Sequence, residues 1–115
     1  MNDKPNFHWK SIDNREVAIL DGTPIYTQLW ISISSPHDTE SIEEIIKEVT
    51  KVVKGELIET DFSSGETTDF VHVFKDVSRL YPDFEKDDHM KMRTTDLLDI
   101  LKQWKDFIVR PPSEV

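Results

Sequence analysis

One stripe of apolar residues constrains this chain more than any other feature. Ile42, Ile45, Ile46, Val49, Val52 and Val53 recur at helical spacing, and Gly55 stands where a helix of that phase would end. Ser41 and Glu44 have the spacing of a capping box, with Asp38 as a further candidate cap, and Glu43 and Lys47 form an i, i+4 pair on the wet side. The pattern predicts an amphipathic helix over 40–54 that must bury its stripe against something else.

What flanks the stripe predicts that partner. Glu16 to Leu20 reads as a strand, and Asp21-Gly22 is a dipeptide suited to a tight hairpin turn. From Ile25 to Ser34 the residues alternate, with Ile25, Thr27, Leu29, Ile31 and Ile33 on one face and Tyr26, Gln28, Trp30, Ser32 and Ser34 on the other. A period of two predicts a second strand, stopped by Pro36. Phe7-His8-Trp9 adds an N-terminal edge strand before Asp13-Asn14. Leu57 to Phe62 reads as a strand after the helix, so strand, helix and strand make a βαβ unit with parallel pairing.

Two readings compete over the next stretch. Phe70-Val71-His72-Val73-Phe74 has the composition of a strand, whereas Phe70, Val73, Phe74, Val77, Leu80 and Tyr81 share one helical face before Pro82. The apolar positions Leu97, Ile100, Leu101, Trp104, Phe107 and Ile108 follow at a constant offset, each stretch opening on Thr-Thr-Asp; the later one is a clear helix with a Thr cap. Periodicity therefore predicts helices over 68–81 and 95–108. The fold class is α+β: a small sheet of three or four strands containing the βαβ unit, with three amphipathic helices. At 115 residues the chain makes a single domain, 1–115, with 1–6 and 110–115 as frayed ends.

Composition narrows the chemistry. Twenty-three acidic residues oppose 14 basic ones, a formal net charge of −9, and there is no cysteine. That excludes disulfides, thiol nucleophiles and sulfur-ligated metals, and an acidic surface repels phosphate backbones, which argues against direct nucleic-acid binding. The N-terminal residues lack the apolar core of a signal peptide and no apolar run approaches a membrane span, so the expectation is cytoplasmic, with no membrane partner. The three glycines leave no phosphate-cradling loop, and no nucleophile elbow or zinc-protease pair occurs. Asp83, Glu85 and Asp87 imitate the first ligands of a calcium loop, but Asp88 stands where Gly is needed and Thr94 where a bidentate Glu belongs. Asp87-Asp88-His89 lacks further ligands at metal spacing. The expectation is no enzyme, no metal and no cofactor.

The distribution of charge is more informative than its total. Neither 16–46 nor 55–74 contains a Lys or Arg, and the second stretch carries Glu56, Glu59, Asp61, Glu66 and Asp69. With parallel pairing, Asp61, Glu66 and Asp69 join Asp38 and Glu40 at one edge. The candidate partner-binding residues are Glu56, Glu59, Asp61, Glu66 and Asp69, the acidic loop residues Asp83, Glu85, Asp87 and Asp88, and three aromatics, Phe62, Tyr26 and Trp30. On an open sheet face Tyr26 and Trp30 would be binding anchors; the competing reading buries them under a helix.

A small, cysteine-free, acidic α+β chain without catalytic motifs resembles the immunity proteins of bacterial polymorphic-toxin and contact-dependent growth-inhibition systems. The resemblance is one of overall character and spans the whole chain. It implies an immunity protein that neutralises a cognate toxin domain, a basic protein such as a nuclease, in a 1:1 complex, its carboxylates covering the active site where phosphates would bind. The alternative is a small regulatory or adaptor domain that self-associates or binds another protein.

Overall fold

A computed structural model describes residues 4–34, 39–63, 68–83 and 85–109. Pro36, Asp38, Glu66 and Phe84, and the predicted frayed ends 1–3 and 110–115, lie outside the described residues. The element order is β1 (Asn6–Ile12), β2 (Arg15–Asp21), α1 (Pro24–Ile33), α2 (Thr39–Val53), β3 (Glu59–Phe62), β4 (Phe70–Phe74), β5 (Val77–Tyr81), β6 (Met90–Arg93) and α3 (Thr94–Ile108). The class is α+β, with three helices, a two-stranded antiparallel sheet and a four-stranded antiparallel one.

β1 and β2 pair from Asn6 opposite Asp21 to Ile12 opposite Arg15, and the turn falls on Asp13 and Asn14, both at positive φ. That dipeptide tolerates left-handed backbone, which is why the hairpin closes there. Asn6, placed in the frayed end by its sequence, is tied in: its Nδ2 donates to Asp21 Oδ1 at 2.8 Å, and His8 Nε2 donates to Asp21 Oδ2 at 3.0 Å. The His8 bond, followed by that of Asn6, holds the Asp21 carboxyl below its ordinary 3.8. A carboxyl depressed in the folded state favours folding above its unfolded pKa, and that contribution disappears as pH falls through the lowered value. Asp21→Asn should therefore cost stability at neutral pH, and the gap from wild type should close below about pH 4, read by urea unfolding across pH.

Asp21-Gly22 does not turn a hairpin, and 25–34 is not a strand. Gly22, at φ 134°, feeds β2 into α1, and an added Cβ would lie 2.9 Å from the Lys4 carbonyl. Pro24 occupies the first helical position, where its fixed φ suits a helix and its missing N–H costs nothing. The alternating set concealed a helical one, because Ile25, Leu29 and Ile33 also satisfy i, i+4, i+8. Leu29 and Ile33 are buried, and Trp30 Nε1 donates to the Ala18 carbonyl at 2.9 Å, fastening α1 to β2. The element that leads into α2 is α1 and not a strand, and among the described residues no parallel βαβ unit forms; there β3 pairs with β4, antiparallel.

α2 forms as its stripe requires, with Ile42, Val49 and Val52 buried. It starts at Thr39, so Ser41 stands inside the first turn rather than at a cap. Gly55, at φ 82°, follows the last turn, where its N–H meets the Val52 carbonyl at 3.1 Å and the Glu56 N–H meets that of Lys51 at 2.8 Å. This pair of bonds satisfies two carbonyls that the helix leaves free.

Residues 68–81 are a hairpin, not a helix. Val71, Val73, Ser78 and Leu80 point inward and are buried, while Phe70, His72, Phe74, Val77, Arg79 and Tyr81 point outward. Helical spacing of the aromatics was incidental; β-branched and aromatic residues fit a pleated surface, and Lys75-Asp76 makes the turn between the paired strands. α3 follows β6 directly. Its N-terminal neighbour Arg93 makes no side-chain cap, and the Thr94 hydroxyl donates instead to the Phe74 carbonyl and lies 2.9 Å from the Ser78 hydroxyl. Thr94 thus pins α3 to the β4–β5 turn. All three helices lie on the inner side of the four-stranded sheet, around one core that includes Leu20, Leu29, Ile42, Val71, Leu80, Leu101 and Trp104. Among the described residues no helix is long and apolar enough to cross a membrane.

Candidate functional site

The short turn after α2 sends β3 back alongside it, and β3 is an edge strand of its sheet. Between them runs a groove of about 170 Å³, lined by Glu44, Ile45 and Glu48 of α2 and by Thr60, Asp61 and Phe62 of β3. Glu44 and Glu48 thus flank a floor of Ile45 and Phe62, both half-buried, while Asp61, opposite His72 in the register, belongs to the outer face of the sheet at the same edge. Glu44 and Glu48 sit one helical turn apart, beside the core stripe, so burying that stripe sets them at the rim. The negative field of the two is fixed by packing rather than by loop conformation.

Of the residues named from sequence, Asp61 and Phe62 belong to this groove. Glu59 is on the same strand, where its Oε1 accepts from His72 Nε2 at 2.9 Å. Glu56 is exposed in the turn before β3. Asp69 is not a surface residue: it is 3% exposed and accepts the Ser32 hydroxyl. Its position at the entry to β4 turns it inward, so the expected patch loses one of its members, while Asp38 and Glu66 lie outside the described residues. Tyr26 and Trp30 ride on α1, half-buried against the core, and not on a sheet face. Asp83 uses its carboxylate locally, accepting the Glu85 N–H at 2.9 Å, which makes it a turn-former. Glu85, Asp87 and Asp88 are exposed, apart from the groove's lining. Among the described residues no three His, Asp, Glu or Cys side chains stand close enough to hold a metal ion.

Sequence reasoning missed Glu44 and Glu48 as site residues. The signal was present in the i, i+4 run Glu40, Glu44, Glu48 at the margin of the apolar stripe. It also missed the outer face of the four-stranded sheet, because a helix had been expected there. On that face Phe70 stacks on Tyr81 with ring centroids 4.5 Å apart, Tyr81 meets His89 at 4.8 Å, and the Arg79 guanidinium lies 5.2 Å from the Phe74 ring centre. A third feature is a cavity of about 410 Å³ between the β1–β2 hairpin and the end of α3, walled by Trp9, Ile12, Val17, Ala18, Trp104 and Ile108 with Asp13, Arg15 and Glu16 at its polar side. Comparisons with protein-family models, curated proteins and solved structures found no match.

Proposed function

We propose that this protein is an inhibitor of a basic toxin domain, such as a nuclease, and that it binds its partner through the acidic groove between α2 and β3. The observation that carries the reading is the placement of Glu44 and Glu48 over an apolar floor beside a sheet edge that itself carries Glu59 and Asp61. The carboxylates steer a cationic surface and occupy the positions that substrate phosphates would take; Ile45 and Phe62 give the contact an apolar centre. The free edge of β3 offers backbone groups to an added strand. This replaces the patch expected from Asp61, Glu66 and Asp69 with one built from a helix and a strand.

The direct test co-expresses the chain with the product of the reading frame immediately upstream of its gene. The expected result is rescue of growth and an equimolar complex by light scattering, with association slowed by salt. Glu44→Lys with Glu48→Lys should weaken the complex by at least about tenfold, whereas Asp99→Lys with Asp106→Lys on α3 should leave it unchanged. A non-toxic upstream product, no complex, or equal effects of the two pairs would overturn the reading.

A further inference from the structure

The outer face of the four-stranded sheet carries its charge in a particular order. The register aligns its outward residues in rows across the strands. Glu59 pairs with Phe74, and Val77 with Arg93; Asp61 pairs with His72, His72 with Arg79, and Arg79 with Lys91. One edge, β3, is therefore acidic with Glu59 and Asp61, and the opposite edge, β6, is basic with Lys91 and Arg93. Between them lie Phe70, Phe74, Val77 and Tyr81, which are half-buried yet are not among the residues packed against the main core. In their midst Arg79 Nε is buried without a hydrogen-bond partner among the described residues. A buried donor left unpaired is costly, and marks a place where a partner group would be accommodated.

From this order we infer that the outer face is an interface between two copies of this chain, packed sheet on sheet about a two-fold axis that runs along the strands. Rotation about that axis exchanges the two edges. It lays β3 of one copy over β6 of the other and keeps each row at its own level. Glu59 then meets Arg93 of the second copy, and Asp61 meets Lys91; Phe74 covers Val77, Phe70 covers Tyr81, and Arg79 faces His72. With its Nε2 proton given to Glu59, neutral His72 keeps Nδ1 as an acceptor opposite Arg79. A two-fold axis across the strands would instead lay β3 on β3 and β6 on β6, opposing like charges, so the charge order selects one of the two arrangements. Facing sheets stand about 10 Å apart, a gap that Lys and Arg side chains span. A nucleic-acid strand is the poorer occupant, because it would meet the acidic edge and a chain of net charge −9.

The interface shares only Asp61 of β3 with the lining of the α2–β3 groove; its test leaves Glu44 and Glu48 untouched, and the variant at Lys91 and Arg93 lies wholly outside the groove. Two variants are made, Glu59→Lys with Asp61→Lys, and Lys91→Glu with Arg93→Glu, and their masses are followed by sedimentation equilibrium over a concentration series at physiological salt. Wild type should rise towards twice the chain mass. Each variant alone opposes like charges at both contacts and should associate at least about tenfold more weakly. Mixed in equal amounts, the two variants restore opposite charges at both contacts and should form a heterodimer, which also shows that both are folded. Monomeric wild type throughout the series, or a mixture no tighter than its components, overturns the inference. So does binding of a fluorescent single-stranded oligo-dT by monomeric wild type that Tyr81→Ala abolishes, which would assign the face to nucleic acid.

Discussion

Replacing Trp104 with alanine is expected to cost about 3–5 kcal/mol of folding stability, the range for deleting a large aromatic from a packed core. Trp104 is 1% exposed and is the largest fully buried side chain among the described residues. Its ring lies 6.3 Å from those of both Phe7 and Phe107, so one residue of α3 holds the β1–β2 hairpin against the helix layer. Phe7 and Phe107 are themselves 5.8 Å apart, and Trp9 stacks on Phe107 at 5.3 Å. These rings are anchored to different elements and cannot collapse into the space vacated, which places the loss near the top of the range. Small domains have about 5–15 kcal/mol in total, so the loss removes about a third or more of what holds the fold when it falls near the top of its range. Urea unfolding followed by far-ultraviolet circular dichroism measures it; a loss below about 1 kcal/mol would mean that the hairpin is not held through Trp104.

Asp69→Ala should cost about 2–3 kcal/mol, as expected for removing the acceptor of a buried hydrogen bond and leaving its donor unpaired. Ser32 on α1 and Asp69 before β4 are 37 positions apart and 2% and 3% exposed, so their bond joins the helix to the sheet inside the core. Asp69→Asn keeps an oxygen to accept the Ser32 hydroxyl and should lose less. Asp61→Ala, on the exposed side of β3, should change stability by no more than about 0.5 kcal/mol. The contrast is measurable in one urea series, and equal effects at positions 61 and 69 would contradict the burial of Asp69. It also bears on the binding test: a charge reversal that included Asp69 would weaken any complex by unfolding the chain, which is why the informative pair is Glu44 and Glu48.

The candidate groove was half legible. Asp61 was named from the acidic stretch free of Lys and Arg and from a parallel pairing that the fold does not have, and Phe62 as an aromatic beside a turn; both nevertheless fall on the strand that returns beside α2. That return follows from chain geometry whatever β3 pairs with. Glu44 and Glu48 acquired meaning only once the packed stripe showed which margin of α2 borders β3. Asp69 shows the opposite error. An aspartate in a polar, acidic run reads as solvated, and the serine hydroxyl that meets it in the core arrives from 37 residues away.

Patterning settled those elements whose periodicity admits one reading. α2 and α3 repeat apolar residues over four turns, longer than a strand of this size needs, and Asp13-Asn14 and Gly55 accept backbone angles that most residues avoid. Short runs were undecidable on their own terms. Ile25, Leu29 and Ile33 satisfy a period of two and a spacing of four together, and Phe70 to Tyr81 fits one helical face as well as two paired strands. There the outcome rested on which partner could bury the side chains: β2 and the entry to β4 for α1, and the three helices for Val71, Val73 and Leu80. Burial is a property of the assembled layers, and the free energy of removing those side chains from water outweighs the small local preferences that separate helix from strand.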